Sequence, residues 1–341
     1  MATNRAAWLD GAAKKLRIDE ADMPKPESDE IVIKNSAIAI NPVDWKIQDS
    51  GYFIKTWPMI LGCDAAGTIT AVGSSVSRFQ KGDRVTGHTI SLLSQSPQDG
   101  GFQLYSRLKA NKTAHLPDSI SFAQGSVLPL ALDTAAVGLY SPADGAKGLG
   151  LPPPSLEPKP SGKVLVCWGG SSSVGALVIQ LAVASGAKVI ATASPHNFEF
   201  CKDAGASEVL DYRSGSVVDD VVAAVKKAGG EFAGLYDAIS LPEESYKHTV
   251  PIVEKLGGGP LAFVLGPPEN APESVKPAHV FGVNDMTKGI WREYVTAALE
   301  KGKLRCLPPP QMVGKGLESV QTGLDANKKG VSAKKVVIEF E

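Results

Sequence analysis

The chain has 341 residues, of which 43% are hydrophobic, and its 35 Lys and Arg nearly balance its 36 Asp and Glu. This length exceeds one ordinary domain and the apolar fraction supports a full-sized core, so we expect two domains. The near-neutral charge, without a basic run longer than a lysine pair, gives no electrostatic footprint for nucleic acid or an anionic membrane.

The amino-terminal residues lack the apolar core of a signal peptide, and no segment approaches the roughly 18 apolar residues that span a bilayer. We therefore expect a soluble, cytoplasmic protein. Four cysteines occur without Cys-x-x-Cys spacing, which indicates neither a disulfide framework nor a zinc ribbon. Buried thiols are the expected state of most of them, and the four are Cys63, Cys167, Cys201 and Cys306.

The first third of the chain predicts an irregular β-rich domain. Short strands are expected at residues 30–34 and 67–72. Residues 79–85 predict a turn followed by a strand, and another strand begins within residues 100–105. Gly, Pro and Asp punctuate this region, and it shows no long helical period.

Residues 141–162 form a long connection that is rich in Pro and Gly. A segment of this length in a compact enzyme is either a surface connector or a functional rim. As a rim of the substrate cleft it would admit an acyl chain or the arm of a carrier protein. The sequence leaves both interpretations open.

Residues 163–175 predict a dinucleotide-binding turn. An apolar strand breaks into small residues at Gly170-x-Ser172-x-x-Gly175, and an apolar helix follows. Such a turn lets a pyrophosphate approach backbone N–H groups and the positive end of the helix dipole. Serine replaces the second glycine of the usual pattern. The cofactor-binding candidates here are Gly170, Ser171, Ser172, Ser173, Val174 and Gly175.

The tip of the next predicted strand, residues 187–192, indicates the type of nucleotide. An NAD site places a carboxylate there for the ribose 2′-hydroxyl, whereas this chain has Ser194, His196 and Asn197, with Lys202 one turn further on. These neutral to cationic groups suit a 2′-phosphate, so we interpret the site as binding NADPH in preference to NADH. The alternative is that Ser194 only starts and caps a helix at residues 197–203.

The rest of the middle region alternates as a doubly wound sheet does, with strands at 208–211, 234–240 and 260–265 and helices at 217–227 and 243–256. Residues 130–270 therefore predict one Rossmann-type NADPH-binding domain. A chain with a central nucleotide unit folds its two ends together, so we expect residues 271–341 to complete the domain that residues 1–129 begin. The last strand of that return segment is expected at 335–339.

Four motifs occur in the order Asn41-Pro-Val-Asp-Trp-Lys46, Pro58-Met-Ile-Leu-Gly-Cys-Asp-Ala-Ala-Gly67, Lys81-Gly-Asp-Arg-Val85 and Gly169-Gly-Ser-Ser-Ser-Val-Gly175. With them the chain resembles the medium-chain dehydrogenase/reductase superfamily over nearly its whole length. Two further segments, Ser194-Pro-His-Asn-Phe198 and Asp211-Tyr-Arg213, are similar to the quinone-oxidoreductase-like branch, which includes fungal trans-acting enoyl reductases and zinc-binding-dehydrogenase-like proteins. The resemblance implies an α/β fold, with a GroES-like β-rich catalytic domain and a Rossmann-type doubly wound parallel sheet.

The resemblance also implies site residues. It places the 41–46 loop beside the nicotinamide, which makes Lys46 the first candidate for electrostatic catalysis, with Tyr52 as a second donor and Thr134 near the nicotinamide. Read without the resemblance, Lys46 is a surface cation, Tyr52 and Tyr212 pack, and Thr134 caps a helix. The implied cofactor contacts are Val43, Asp44, Trp45, Lys46, Thr134, Tyr212, Leu265, Gly266, Val331 and Ser332.

Zinc alcohol dehydrogenases of this superfamily use a Cys, the His of a Gly-His-Glu motif and another ligand. Here that motif reads Gly62-Cys63-Asp64, residues 41–48 hold no Cys or His, and the four-cysteine structural lobe has no counterpart between residues 87 and 101. A catalytic zinc needs three protein ligands and an open position. Only a makeshift set of Cys63, Asp64 and His88 remains, so we expect no metal.

Without zinc to polarise a carbonyl, hydride transfer to a conjugated double bond is the favoured chemistry, because the substrate's own carbonyl delocalises the enolate charge. The expected substrate is a small-molecule enone, quinone or enoyl thioester, free or on a carrier protein. The alternatives are an NADPH-binding protein without catalysis and a zinc alcohol dehydrogenase. Monomer and homodimer both stay open.

Overall fold

A computed structural model describes residues 3–340, apart from the side chain of Ala146. The chain forms two compact units, Met1–Leu130 with Trp291–Glu341, and Ala131–Ile290. The first break lies one residue from the predicted position. The second falls after residue 290 rather than after 270, because residues 275–279 form a strand of the second unit.

The strands of the described residues are β1 Asn4–Leu9, β2 Arg17–Ala21, β3 Glu30–Ala39, β4 Met59–Ile60, β5 Asp64–Val72, β6 Arg84–His88, β7 Tyr105–Lys109, β8 Thr113–His115, β9 Lys163–Trp168, β10 Lys188–Ala193, β11 Glu208–Asp211, β12 Glu231–Asp237, β13 Gly259–Phe263, β14 Val275–His279, β15 Pro310–Lys315 and β16 Lys335–Glu339.

The α-helices are α1 Pro42–Ser50, α2 Ser91–Ser94, α3 Phe122–Gly125, α4 Pro129–Tyr140, α5 Ser173–Ala184, α6 Phe198–Asp203, α7 Val217–Ala228, α8 Lys247–Lys255, α9 Lys288–Ile290, α10 Thr296–Glu300 and α11 Val320–Lys329. Short 3₁₀ segments occur at Pro97–Asp99, Ala110–Lys112, Asp144–Ala146, Pro195–Asn197, Asp285–Thr287 and Leu317–Ser319, and π-helical turns at Pro242–Tyr246 and Trp291–Val295.

The first unit is built on β-sheets, as predicted. Its larger sheet has the order β15-β16-β3-β5-β6-β8, with β7 also paired to β3, and a smaller sheet has the order β2-β1-β4. Strand β16, at the predicted residues 335–339, pairs with β3, so the carboxyl-terminal segment joins a sheet that the amino-terminal segment begins. Buried Ile, Leu and Val side chains from both segments form one core.

Several ionisable side chains are buried in this first unit, and three of them lie together around Asn41. Asp44 and Asp64 have no exposed surface, and Lys335 is 3% exposed. The Lys335 ammonium lies 3.0 Å from Oδ2 of Asp64 and donates to Oδ1 of Asn41. Nδ2 of Asn41 donates to the same Asp64 oxygen over 2.8 Å. We call these four residues the buried charge cluster.

The buried charge cluster meets α1 at its amino end. Asn41 is the N-cap of this helix, and its backbone N–H donates to Oδ2 of Asp44, three residues on, over 2.7 Å. Burial raises the pKa of Asp44 to about 7, the backbone N–H of Asn41 acts in the opposite direction, and the nearby Asp64 charge raises the pKa further. The start of α1 is therefore tied to charged groups in the interior.

The second unit is a six-stranded parallel sheet with the order β11-β10-β9-β12-β13-β14. Its central strands β9, β10 and β13 are largely buried, as expected when helices cover both faces. The first strand, β9, lies in the middle, and the chain winds outward from it in both directions. Ligands of such sheets bind at the carboxyl ends of the strands, at this switch point.

Most of the elements predicted in this unit are confirmed within a few residues. Strand β11 occupies the predicted residues 208–211, and α7 begins at the predicted residue 217. The helix predicted at 243–256 begins as a π-helical turn, Pro242–Tyr246, and continues as α8. Pro251 lies inside α8. Strand β14 was not predicted, since its sequence, Val-Lys-Pro-Ala-His, lacks an apolar run.

The Pro-rich connection has hydrogen bonds to the far end of the second unit. The N–H groups of Ser155 and Ser161 donate to the carbonyls of Ala184 and Gly186 over 2.8 and 2.9 Å. Ala184 ends α5, and the glycine-rich turn lies at the opposite end of that helix. These contacts favour the surface connector over a rim for this part of the segment.

One helical stretch is long and apolar enough to resemble a membrane span, contrary to the expectation from sequence. It covers Phe122–Tyr140, 19 residues. Of its most apolar window, 83% is buried inside the protein, and a core helix passes the same test of length and composition.

Titration of Asp44 should affect stability. Because the folded protein binds the Asp44 proton more tightly than the unfolded chain does, its contribution to the free energy of unfolding falls as pH rises from 3.8 to about 7. Asp44→Asn removes this dependence, and its amide oxygen can still accept the Asn41 N–H. The stability difference between the unsubstituted chain and this variant should decrease by at most about 1.4 kcal/mol per pH unit.

Urea unfolding at several pH values measures this difference, with Asp49→Asn, which changes an exposed aspartate of the same helix, as the control. A difference that stays constant across the window would contradict the raised pKa.

Strand β14 forms an edge of the parallel sheet, and Pro277 should limit pairing along it. The N–H of Val280 donates to the carbonyl of Phe263 in β13, so the N–H groups of the alternate residues 276 and 278 also point toward β13. The backbone nitrogen of residue 277 therefore points away from β13. Proline lacks the N–H that a further strand would accept from, so association through this edge, measured by light scattering after gel filtration, should be weak. Pro277→Val should promote association, whereas Pro267→Val, outside any strand, should not. A stable dimer of the unsubstituted chain would show that Pro277 does not prevent association.

Candidate functional site

The glycine-rich turn joins β9 to α5 at the switch point of the second unit. Gly169 has a positive φ of 79°, and the N–H of Gly170 donates to the carbonyl of Thr192 in β10 over 2.8 Å. A Cβ at position 175 would lie 2.2 Å from the carbonyl oxygen of Gly169, so only glycine fits there. A Cβ at position 170 would contact Ala191 at 3.0 Å. Close packing of strand and helix therefore requires glycine at position 175 and leaves little room for a side chain at position 170.

Ser172 is the N-cap of α5. Its hydroxyl accepts the N–H of Gly175 over 3.0 Å, which is the capping role expected of serine. The first-turn N–H groups of a helix have no partner within the helix and form an anion site. Oγ of Ser173 is buried and has no hydrogen-bond partner in the described part of the chain. The turn therefore offers unsatisfied polar groups where a pyrophosphate would bind.

The tip of β10 lies against this turn. Asn197 is buried, and its Nδ2 donates to Oγ of Ser171 over 3.3 Å, which joins two predicted cofactor residues directly. Ser194 precedes the 3₁₀ turn as its N-cap, and His196 is exposed on that turn. The Lys202 ammonium is paired with Glu199 at 3.0 Å on the surface. Thus the Lys202 charge, which the sequence suggested for a phosphate, is compensated by its own helix.

Tyr212 follows β11 and lies beside Ser194. Their hydroxyl oxygens are 3.5 Å apart, and Tyr212 is 37% exposed. The guanidinium of Arg213 lies 5.8 Å from the Tyr212 ring centroid and is paired with Asp211, whose pKa its hydrogen bond lowers. In the sequence, Arg213 stands out only as the last residue of the Asp211-Tyr-Arg213 motif. The structure places this cation at the same end of the sheet as Ser194.

The segments after β12 and β13 are held together by a buried carboxylate. Oδ1 of Asp237 accepts the N–H groups of Ile239 and Ser240 over 2.9 and 2.8 Å, and burial raises its pKa. Oγ of Ser240 in turn accepts the N–H of Val264 over 2.9 Å. Sequence reasoning missed this arrangement, although an aspartate that ends an apolar strand is a recognisable signal.

The predicted residues Leu265 and Gly266 follow Val264 directly. Leu265 is half-buried and Gly266 is exposed, and the Gly266 carbonyl accepts the hydroxyl of Tyr246. Both lie beyond the carboxyl end of β13, the same sheet edge as the glycine-rich turn.

Thr134 lies on α4 in the second unit, with 9% of its surface exposed. Its carbonyl accepts the hydroxyl of Tyr236 over 2.7 Å. A Cβ at Gly282 would lie 2.8 Å from the Thr134 hydroxyl, so the segment after β14 approaches this side chain closely. Thr134 lies within the helix rather than at its cap.

In the first unit the predicted residues of α1 divide into two sets. Val43, Trp45 and Lys46 are half-buried, whereas Asp44 lies in the buried charge cluster. The expectation of a cofactor contact for the Asp44 side chain therefore differs from the structure, because its carboxyl accepts the Asn41 N–H in the interior. Burial lowers the pKa of Lys46, and its ammonium lies 5.6 Å from the centroid of the Trp45 ring.

The carboxyl-terminal residues of the site lie near α1. Asn327 on α11 accepts from Nε1 of Trp45 over 3.1 Å. Val331, shortly after this helix, packs against the core of the first unit, and Ser332 is exposed. Tyr52 follows α1, is 68% exposed, and contacts only the Phe53 ring among the aromatic side chains described.

The residues present do not fit a catalytic zinc. Both oxygens of Asp64 accept hydrogen bonds, Oδ2 from Asn41 and the Lys335 ammonium and Oδ1 from the Leu130 N–H at 2.6 Å. Cys63 and His88 do not form a metal-ligand set with Asp64. In residues 3–340 the only such set is Glu27, Asp29 and Glu30, whose acids pair with Arg107 and Lys109.

Comparison with known proteins shows the family. Residues 27–118 match the alcohol dehydrogenase GroES-like domain, and residues 173–277 match the zinc-binding dehydrogenase domain. The chain is 50% identical to a protein named dehydrogenase orsE of Emericella nidulans, with both chains fully covered. It is 42% identical to trans-enoyl reductase himH of Aspergillus japonicus, over 99% of this chain and 97% of the relative.

The fold agrees with solved structures. An alcohol dehydrogenase superfamily protein from Novosphingobium aromaticivorans superposes with a TM-score of 0.78 at 26% identity, over 99% of this chain and 100% of the other. The predicted α/β class, with a GroES-like domain and a parallel dinucleotide-binding sheet, is confirmed. From its motifs, its sheet order and relatives that match along its whole length, the chain belongs to the medium-chain dehydrogenase/reductase superfamily of oxidoreductases.

Proposed function

We propose that this oxidoreductase uses NADPH to reduce the conjugated C=C bond of an enoyl thioester, enone or quinone without a catalytic metal. The observation that carries the proposal is the combination of two features. The second unit has a dinucleotide turn without a carboxylate at Ser194, and in the first unit both Asp64 oxygens are engaged by Lys335, Asn41 and Leu130. The relative named trans-enoyl reductase supports the same type of substrate.

The preference for NADPH rests on the groups around the β10 tip. Ser194 and Tyr212 offer hydroxyl groups 3.5 Å apart, and Arg213 adds a cation beside Tyr212. A carboxylate at Ser194 would instead accept from a ribose 2′-hydroxyl and repel a 2′-phosphate. Arg213 is better placed for this role than Lys202, since it stacks near the Tyr212 ring, although its pairing with Asp211 must be exchanged for the phosphate.

The proposed chemistry places the developing charge on the substrate's own carbonyl. Bound NADPH would supply a hydride to the β-carbon of the acceptor, and the electron pair of the C=C bond would move onto the carbonyl as an enolate. A proton from solvent or an acid then adds to the α-carbon, which gives the saturated product and balances the reaction. The protein's tasks are to bind and orient the reactants and to stabilise the enolate charge.

We assign the stabilising charge to Lys46. Its half-buried ammonium has a lowered pKa because of desolvation, so its charge is incompletely screened by water. Trp45 limits its freedom on one side through the contact at 5.6 Å. Tyr52, which is 68% exposed, is assigned the lesser role of proton donor. The half-buried Val43, Trp45 and Val331 and the exposed Ser332 complete the proposed cofactor surface of this unit.

The Pro-rich connection gives no support to a carrier-arm rim, since Ser155 and Ser161 bind at the far end of α5. We therefore propose a small-molecule or small thioester substrate.

The decisive experiment follows NADPH absorbance with the purified protein and three acceptor classes, namely an enoyl thioester of pantetheine, small enones and quinones. We expect acceptor-dependent oxidation of NADPH, with NADH at least about tenfold less efficient in kcat/KM. Tight binding of NADPH without turnover would instead favour a non-catalytic binding protein. One tightly bound zinc per chain, with loss of activity on chelation, would favour an alcohol dehydrogenase.

The nucleotide preference can be tested at one residue. Ser194→Asp places a carboxylate beside the proposed 2′-phosphate and keeps a good N-cap, so the fold should be retained. We expect the Kd for NADPH to rise at least about tenfold, or ~1.4 kcal/mol, while NADH binds at least as well. Ser207→Asp is the matched control, because Ser207 is exposed just before the amino end of β11. Equal weakening of both nucleotides would contradict 2′-phosphate recognition at Ser194.

A further inference from the structure

The buried charge cluster is an unusual way to fill a protein core. Replacing a buried ion pair by apolar side chains of similar volume is often neutral or stabilising, so its presence is weak support for a role in stability alone. Oδ1 of Asp44 is buried without a hydrogen-bond partner in the part of the chain that the structure describes.

Asn41 is the point at which the buried charges act on the backbone. Its amide oxygen accepts from the Lys335 ammonium, its amide nitrogen donates to Asp64, and its backbone N–H donates to Asp44. The Lys335 ammonium on one side and the Asp64 carboxylate on the other fix the orientation of the Asn41 amide. Exchanging its oxygen and nitrogen would place the amide N–H₂ against the ammonium and the amide oxygen against the carboxylate. Charged groups from two strands therefore set the position of this residue.

Asn41 begins α1, and Lys46 lies on the second turn of that short helix. Any rotation of Asn41 would move the first turn and with it the ammonium of Lys46. The rest of α1 is held by contacts with α11, since Nε1 of Trp45 donates to Oδ1 of Asn327 over 3.1 Å and the Lys328 ammonium donates to Asp49 over 2.7 Å. The amino end thus depends on the buried cluster.

We propose that Lys335 is a positioning residue, whose buried ammonium, through Asp64 and Asn41, fixes the amino end of the helix that carries Lys46. The inference deepens the proposed function, on which its kinetic part rests. It assigns a task to a lysine at the start of the last strand, 294 positions from Asn41.

The test separates charge balance from positioning. Lys335→Met alone leaves Asp64 without its cation and should lower Tm strongly. The double variant Lys335→Met/Asp64→Asn removes both charges, so its Tm should recover to within about 5 °C of the unsubstituted protein. Positioning predicts that α1 amides of this double variant still exchange at least about tenfold faster than in the unsubstituted protein by hydrogen-exchange mass spectrometry.

The kinetic arm asks whether the cluster acts through Lys46. In the double variant, kcat should fall about tenfold while the Kd for NADPH changes less than about twofold. In a Lys46→Met background the same double substitution should have little further effect on kcat, because the group it positions has been removed. Full additivity of the two losses would overturn action through Lys46.

The matched control is the exposed pair of Lys163 and Glu231, 3.1 Å apart in the second unit. Lys163→Met/Glu231→Gln should leave α1 exchange and kcat unchanged. Unaltered α1 exchange in Lys335→Met/Asp64→Asn would overturn the positioning proposal. The exchange arm needs no turnover, so it decides the proposal even if no acceptor oxidises NADPH, which would count against the proposed function alone.

Discussion

The parallel alignment of the second unit is the constraint on which the nucleotide site depends. All six strands end at one edge, and the chain winds away from β9 in both directions, so the segments after β9, β10, β11, β12 and β13 meet there without being adjacent in sequence. The direct contacts of Ser171 with Asn197 and of Ser194 with Tyr212 are consequences of this alignment.

The first unit is built differently, since most of its strand pairs are antiparallel. It brings its two ends together by pairing β16 with β3, and this places Lys335 beside Asp64 and Asn41. The interior cation thereby couples the last strand to α1. The pairing of β16 with β3 therefore both joins the two ends of the chain and, in our proposal, sets the position of the half-buried Lys46.

Local chemistry explains what sequence could and could not predict. The turn from Gly170 to Gly175 could be predicted because the need for residues without a large side chain lies within six consecutive positions. Strand β11 could be predicted because Val209 and Leu210 lie between two turns. The partnership of Asp44, Asp64 and Lys335 depends on long-range pairing that no local pattern records. The family resemblance implied a cofactor contact for Asp44, whose burial no local pattern indicates. Strand β14 was not predicted because Pro277 and its polar neighbours resemble a loop.

Ser172 illustrates how one replaced glycine changes the character of the dinucleotide turn. Its hydroxyl already occupies the N–H of Gly175, so this donor is committed to holding the helix end in shape. A pyrophosphate at this turn is left with the donors of Ser173 and Val174 and the buried hydroxyl of Ser173. With Ser172 the helix terminus is therefore already capped before a pyrophosphate binds, and one backbone N–H fewer remains to bind the pyrophosphate.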